Sequence, residues 1–136
     1  MAPVLLDSSF LIDLEHEVNS GTAGPAMAWL RKIRGLNQRA LIVSCISVAE
    51  FLEGCPDANK GMQFICHYIP QSIGFQHAIK CAEVQRRARK KGKRFGENDA
   101  WQIAFADRAS ASIVARDRNA FTHLGARYEQ FNNCTS

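Results

Sequence analysis

The chain has 136 residues, 46% hydrophobic and 22% charged, a balance typical of globular proteins and not of disordered ones. No apolar run approaches the roughly 20 residues that span a bilayer, and the first residues lack the pattern of a secretory signal. We therefore expect one domain over residues 1–136 with no membrane association.

The cysteines are odd in number and widely separated, and none forms a C-x-x-C pair. This spacing argues against a disulfide framework and against a zinc site, and it favours a reducing, cytoplasmic location. Cys45 and Cys66 are expected in the core. The five positions are Cys45, Cys55, Cys66, Cys81 and Cys134.

The first third of the chain alternates between strand and helix signals. Residues 3–7 read as a short buried strand, and residues 8–17 as a helix that begins at once with a serine N-cap. A proline near the start and a glycine at the end predict a helix over 24–35. Residues 39–45 read as a second buried strand, followed by a short helix over 47–54.

The same alternation continues to the C-terminus. Helices are predicted over 57–67, 76–92 and 97–109, and strands over 112–117 and 126–131.

Two shorter segments complete the prediction. Residues 68–75 contain a proline and a glycine and read as a connector with a short edge strand, and 119–125 read as a short helix or turn. Strands separated by helices predict an α/β fold, with a central parallel sheet of four to five strands and helices on both faces.

The positive charge is concentrated in residues 86–94, where seven of nine residues are basic, so that acids outnumber bases in the rest of the chain. Such a block can bind phosphates through long-range attraction and counterion release. It can also be a solvated helix end, because cations stabilise a helix C-terminus. The predicted nucleic-acid-binding residues are Arg86, Arg87, Arg89, Lys90, Lys91, Lys93 and Arg94.

Four acids are expected at one edge of the sheet. Asp7 ends the first predicted strand, Glu50 lies one helical turn after the second, and Asp117 closes the third. Asp99 opens the helix that leads into that third strand. Ligands of parallel α/β sheets bind at the carboxyl ends of the strands, so these side chains are candidates for one site.

Each acid also has a structural interpretation. Asp7 could cap the first helix, and Glu50 fits an S-x-x-E capping box that begins at Ser47. Asp99 could complement the dipole of its own helix, and Asp117 could be a turn residue.

Taken together, the acids favour a metal site. Unpaired carboxylates a few ångströms apart repel by several kcal/mol at an intermediate dielectric, so one must take up a proton or a cation must neutralise the group. Mg²⁺ or Mn²⁺ suits such carboxylate and water ligands. Helix caps and a metal site can coexist.

Four motifs in order give the chain a family resemblance. They are LLDSSFLID (5–13), SVAEFLEG (47–54), ENDAWQIAFA (97–106) and IVARDRNAF (113–121). With these motifs the sequence resembles a PIN domain, and most closely the VapC-type toxins of prokaryotic toxin–antitoxin pairs. The resemblance covers nearly the whole chain.

The resemblance implies a metal-dependent ribonuclease, usually dimeric and often held inactive by a small antitoxin. Asp7, Asp99 and Asp117 would hold Mg²⁺ or Mn²⁺ directly or through water. Glu50 would complete the acidic pocket and orient a water molecule for attack on the RNA phosphodiester.

The sequence departs from the family pattern at two supporting positions. Ser9 stands where the family often has asparagine, and Ala115 stands where a threonine or serine commonly precedes the fourth acid, Asp117. Ser8 or Ser9 would assist from the turn, and Asn119 could compensate for Ala115.

The predicted function is therefore hydrolysis of RNA by the toxin of a toxin–antitoxin pair, with Phe95 or Trp101 available to stack an unpaired base. Trp101, at helical spacing, is favoured as a core or dimer contact. Two alternatives remain: a PIN nuclease that processes RNA or cuts DNA without a toxin role, and a non-catalytic nucleic-acid-binding module. A phosphatase of the haloacid-dehalogenase type is disfavoured, because it needs a second aspartate where Ser9 stands.

Overall fold

Five short strands alternate with helices in residues 2–36, 39–116 and 119–134, which the computed structural model describes. The strands are β1 (Val4–Leu6), β2 (Leu41–Ser44), β3 (Ile69–Gln71), β4 (Ser112–Ala115) and β5 (Tyr128–Gln130). The α-helices are α1 (Ser8–Ser20), α2 (Pro25–Leu36), α3 (Cys45–Glu53), α4 (Ala58–Ile65), α5 (Phe75–Lys90) and α6 (Glu97–Ala109). Short 3₁₀ segments span Asn119–Arg127 and Phe131–Asn133.

The strands form one parallel sheet in the order β3-β2-β1-β4-β5. Strand β1 is central, since Val4 pairs with Leu41 of β2 on one side and with Ser112 of β4 on the other. The short edge strand expected within 68–75 is β3. The predicted α/β architecture with a parallel sheet is confirmed.

Apolar side chains cover both faces of the sheet because successive strand residues point to opposite sides. Val4 and Leu6 join the core under α1 and α2, while Leu5 joins the core under α5 and α6. The first core includes an edge-to-face contact between Phe10 and Trp29, whose ring centroids are 5.1 Å apart. No helix of the described residues is long and apolar enough to cross a membrane.

The expectation that Cys45 and Cys66 lie in the core is wrong, because both are exposed. Strand β2 ends at Ser44, so Cys45 begins a helix and no longer follows the alternation of a strand. The side of α3 that faces the protein carries Ser47 and Phe51 instead. All five cysteines are free thiols in the described chain.

The turn between α1 and α2 is held by one carboxylate. Glu17 accepts hydrogen bonds from the backbone N–H groups of Gly24 (2.7 Å), Ala26 (3.0 Å) and Met27 (2.8 Å). Pro25 has no N–H group to satisfy at the first position of α2. Glu17 therefore caps α2 from the neighbouring helix and fixes the angle between the two.

Replacement of Glu17 by alanine should lower the free energy of unfolding by about 2–3 kcal/mol, because it leaves backbone donors of α2 without an acceptor. Urea unfolding followed by circular dichroism measures this change. The exposed Glu53→Ala variant is the control and should differ from wild type by less than about 0.5 kcal/mol. Equal unfolding midpoints for the two variants would contradict the capping role of Glu17.

The first turn of α5 carries a histidine, His77, whose side chain takes part in a hydrogen bond and can gain a proton. Nδ1 of His77 accepts a hydrogen bond from the Gly74 N–H (2.9 Å), and its ring stacks on Phe105 with centroids 4.1 Å apart. Burial, and secondarily the charge of Arg108, lower the pKa of His77 below its ordinary value of 6.5. The folded state therefore binds fewer protons here than the unfolded chain.

Stability should consequently fall as the pH drops through about 6.5, since protonation favours the unfolded chain and removes the Nδ1 acceptor. His77→Gln should flatten this part of the pH profile, because glutamine can accept the same N–H without titrating. Thermal unfolding from pH 8 to pH 5 tests the difference. The exposed His67→Gln variant should keep the wild-type profile, and an unchanged profile in His77→Gln would refute the assignment.

Candidate active site at the carboxyl edge of the sheet

A buried amide on α6 joins three segments at the carboxyl edge of the sheet. Nε2 of Gln102 donates to Oδ1 of Asp7 (3.2 Å) and to Oγ of Ser47 (2.6 Å). Its Oε1 accepts from Oγ of Ser44 (2.5 Å). Gln102 is only 1% exposed, so these bonds replace the hydration that its amide loses on folding. The amide thereby connects the ends of β1 and β2 and the start of α3.

Asp7 is a buried carboxylate at the end of β1, with 1% of its surface exposed. It is the N-cap of α1, and its Oδ2 accepts from the Ser9 backbone N–H (3.2 Å) and from the Ser9 hydroxyl (2.7 Å). The expected serine N-cap is therefore wrong, because the carboxylate one residue earlier takes the helix N–H. Such charge-assisted hydrogen bonds offset the cost of burying the carboxylate.

Ser9 also connects β1 to β4. Its hydroxyl accepts a hydrogen bond from the backbone N–H of Arg116 (3.1 Å), the residue that follows β4. The side chain of Arg116 is in turn paired with Asp13 on α1. Ser9 thus supports both Asp7 and the segment that leads to Asp117. Asp117 itself lies outside the described residues, and its predicted role stays a prediction.

Glu50 faces the turn between β1 and α1. Its Oε1 accepts a hydrogen bond from the Ser8 hydroxyl (3.3 Å). The capping box proposed for Glu50 and Ser47 is wrong, because Ser44 is the N-cap of α3 and its hydroxyl accepts the Ser47 N–H (3.1 Å). Glu50 therefore lies beyond the helix start, half-buried and beside the residue that follows Asp7.

Asp99 lies in the first turn of α6 and is half-buried. It precedes Gln102 by three residues, a spacing that places both side chains on neighbouring parts of one helix face. Gly96, the residue before α6, lies close to this carboxylate, because a Cβ at that position would be 3.4 Å from Oδ2 of Asp99, an ordinary van der Waals distance. The position also suits an acid, because it lies at the positive end of the helix dipole.

The carboxylates at this edge of the sheet are of the type that Mg²⁺ and Mn²⁺ bind. No group of three or more His, Cys, Asp or Glu side chains in 2–36, 39–116 and 119–134 is arranged to hold a metal ion. Mg²⁺ commonly binds through only one or two carboxylates and keeps several waters. Asp7, bound by Gln102, and Asp99, three residues before Gln102 on α6, are two such carboxylates. The donor chemistry therefore fits a hard divalent cation.

Some of the basic residues of 86–94 line a cavity, and the others do not. All seven are exposed, and three of them (Arg87, Lys91 and Lys93) line a cavity of about 350 Å³ between α5, α6 and the first 3₁₀ segment. Asn119 also lines this cavity. The structural interpretation holds as well, because the last turn of α5 carries basic residues at the negative end of the helix.

A second cavity, of about 780 Å³, lies beside α1, α3 and α4. Its lining includes Glu15, Asp57 and Lys60 but none of Asp7, Glu50 or Asp99, so its size alone does not mark the carboxylate site.

The sequence prediction missed Gln102, Ser44 and the structural role of Ser47. A signal was present, because Gln102 is a polar residue within the apolar stretch 100–106, and a buried amide needs hydrogen-bonding partners. The identity of those partners was not readable, because they lie 55 or more residues away along the chain. Trp101, expected in the core or a dimer contact, is half-buried.

No protein-family model matches the chain, and no curated protein does. Solved structures match over nearly its whole length. The DNA-bound VapBC complex from Salmonella typhimurium has a TM-score of 0.72 at 16% identity and covers 96% of this chain and 99% of that one. VapBC-1 from nontypeable Haemophilus influenzae gives 0.73 at 17% identity, with 96% and 98% covered.

VapC20 of Mycobacterium tuberculosis, described as a Sarcin-Ricin loop cleaving toxin, matches with a TM-score of 0.61 at 14% identity. The match covers 90% of this chain and 95% of that one. Likeness at such low identity establishes the fold. The chain has a VapC-like PIN fold, as its four motifs predicted.

Replacement of Gln102 by leucine should lower the free energy of unfolding by about 2–4 kcal/mol, because buried hydroxyls and the Asp7 carboxylate lose a shared partner while the volume stays similar. Chemical unfolding measures the loss. The exposed Gln76→Leu variant of α5 is the matched control, expected within about 0.5 kcal/mol of wild type. A Gln102→Leu protein as stable as that control would show that the buried network does not hold the site together.

Proposed function

We propose that this chain, built on the VapC-like PIN fold, is a Mg²⁺- or Mn²⁺-dependent ribonuclease and the toxin of a type II toxin–antitoxin pair. The observation that carries the proposal is the buried Asp7 carboxylate at the end of β1, held by Ser9 and Gln102 with Glu50 at the adjoining turn. We take residues 1–136 as a single nuclease domain that acts in the cytoplasm.

Three aspartates are proposed as metal ligands. Asp7 is oriented by its hydrogen bonds, Asp99 lies one turn before Gln102, and Asp117 follows Arg116, whose backbone is bound by Ser9. A bound Mg²⁺ or Mn²⁺ would polarise a phosphoryl oxygen of the RNA and lower the pKa of a coordinated water.

The chain's own groups supply orientation. The Ser9 hydroxyl and the Gln102 amide hold the two oxygens of Asp7 in fixed directions, so little rearrangement is needed when a cation binds. The Ser8 hydroxyl positions Glu50 at the edge of the same turn, where its half-exposed carboxylate can accept a proton from the attacking water.

The substrate is proposed to be RNA. The exposed basic residues of 86–94 can neutralise backbone phosphates without selecting a sequence. One matching solved structure is described as a toxin that cleaves the Sarcin-Ricin loop, and this supports RNA over DNA as the first substrate to test.

The proposed partners are a small antitoxin protein and a second copy of the chain. Structures of the same fold from Salmonella typhimurium, Klebsiella pneumoniae and Haemophilus influenzae are toxin–antitoxin complexes. By analogy, an antitoxin would hold this chain inactive until released.

Each of the substitutions Asp7→Asn, Glu50→Gln, Asp99→Asn and Asp117→Asn should lower Mg²⁺-dependent RNA cleavage by at least about 100-fold, because each removes a negative charge from the proposed site. Purified protein is assayed on single-stranded RNA and DNA, with EDTA as the metal-free control. Asparagine also caps helices well, so Asp7→Asn should remain folded.

The matched control is Glu53→Gln, an exposed acid on the same helix as Glu50, which should keep wild-type activity. Cleavage that persists in EDTA or in Asp7→Asn would refute the site. Growth arrest on expression, relieved by a co-encoded small protein, distinguishes a toxin from an RNA-processing enzyme. RNA binding without turnover under Mg²⁺ and Mn²⁺ would instead identify a non-catalytic binding module.

A further inference from the structure

A cavity of about 350 Å³ opens beside the candidate site, between α5, α6 and the first 3₁₀ segment. Its floor is apolar, formed by Val84 and Ala88 of α5 and Ile103 of α6. Ligand sites in proteins span about 300–1,000 Å³, so a cavity of this size suits one small planar group better than a large ligand.

Two aromatic rings lie in the wall of this cavity. The ring centroids of Phe95 and His123 lie 5.1 Å apart, and the ring planes are tilted by 33°. Phe95 comes from the loop between α5 and α6, and His123 comes from the 3₁₀ segment after β4. Rings of this kind form stacking surfaces for nucleic-acid bases of any sequence.

The Phe95 ring is held in position by a pair of hydrogen bonds to its own backbone. The side-chain amide of Gln85 donates from Nε2 to the Phe95 carbonyl (2.9 Å) and accepts the Phe95 N–H at Oε1 (3.1 Å). The ring also packs partly against the core under α5 and α6. A loop residue fixed in this way presents a preformed surface and loses little entropy on binding.

The cavity rim is positively charged. Arg87, Lys91 and Lys93 line it, and Asp107, the acid among the described lining residues, is paired with Arg127 at 2.9 Å. Arg87 and Lys91 are four residues apart and therefore lie on one face of α5. Positive charge at the rim is suited to the phosphates that flank a nucleobase.

The cavity adjoins the candidate site through α6. Ile103 lines the cavity, while its neighbour Gln102 binds Asp7. Asp99 precedes both by about one turn and lies on the side of the helix between them. If one base of an RNA strand occupied the cavity, a neighbouring phosphate of the same strand would thus lie close to the carboxylates.

We propose that this cavity is a subsite for one unpaired base of single-stranded RNA, stacked on Phe95 and His123, with its flanking phosphates bound by Arg87 and Lys91. The inference rests on the proposed function, because it takes RNA to be the ligand. It also divides the basic block into two parts. Arg86 and Lys90, on a different face of α5, do not line the cavity and are excluded from the subsite.

The test measures binding separately from cleavage. A fluorescein-labelled single-stranded RNA of seven nucleotides is titrated with the full chain in EDTA, and the anisotropy gives Kd. Arg87→Gln/Lys91→Gln is compared with Arg86→Gln/Lys90→Gln, a control pair that removes the same charge from the same helix. Phe95→Leu removes the ring and keeps the apolar bulk.

Phe95→Leu should weaken binding on the order of tenfold, the effect of one lost base stack. The Arg87/Lys91 pair should weaken it at least as much and reduce the slope of log K against log salt by about 1.4, the value for two phosphates. The Arg86/Lys90 pair should weaken binding several-fold less than the Arg87/Lys91 pair, because it removes the same charge from the helix but none from the cavity rim. A duplex of the same sequence should not distinguish Phe95→Leu from wild type, because its bases are not free to stack.

Cross-linking gives a second readout that needs no substitution. An RNA with one 4-thiouridine should cross-link to Phe95 or His123, as identified by mass spectrometry. Equal weakening by the two charge pairs, or cross-links only at other residues, would overturn the subsite. Unchanged RNA binding in a folded Phe95→Leu protein would overturn it as well.

The two proposals fail in different ways. If binding follows the expected order but no RNA is cut with Mg²⁺ or Mn²⁺, the ribonuclease proposal fails and the subsite stands as a nucleic-acid-binding site. If cleavage depends on Asp7 but the two charge pairs bind alike, the ribonuclease stands and the subsite is wrong.

Discussion

The buried contact between the Gln102 amide and the Asp7 carboxylate is the interaction on which the rest of the site depends. A charge as buried as Asp7 would be costly without donors, and it receives them from Gln102 and from Ser9. The same amide also binds the hydroxyls at the junction of β2 and α3. Segments that are distant in sequence are therefore fixed relative to one carboxylate. Hydrogen bonds of this kind orient a carboxylate before a metal ion binds to it.

The topology explains why this edge of the sheet is available for chemistry. From the central β1 the chain builds outward to β2 and β3, then crosses to β4 and β5 on the other side. The crevice between β1 and β4 is thus the point where the strand order reverses, the usual ligand position in open parallel sheets. Ser9 closes this crevice by bonding Asp7 and the backbone of Arg116.

Sequence patterns predicted the helices and strands better than they predicted the residues that cap each helix. The sequence predicted strands that are followed directly by helices. At the β1–α1 and β2–α3 junctions, however, the N-cap residue lies earlier in the chain than expected. Asp7 caps α1 where a serine was expected, and Ser44 caps α3, which frees Glu50 from the capping box with Ser47. Neighbouring residues with similar capping ability compete at such junctions, and the register of the strand decides between them. The same shift explains why Cys45 is exposed.

The sequence by itself determined the alternation of strands and helices, the parallel sheet and the position of Asp7 at the end of the first strand, because hydrophobic periodicity is a local property. Only the tertiary structure decided which polar groups meet. Gln102 finds Asp7 across 95 residues, Ser8 finds Glu50 across 42, and Arg87 and Arg86 separate onto different faces of α5. These pairings depend on how helices pack over the sheet, and packing distances between remote segments are not encoded in any short stretch of residues.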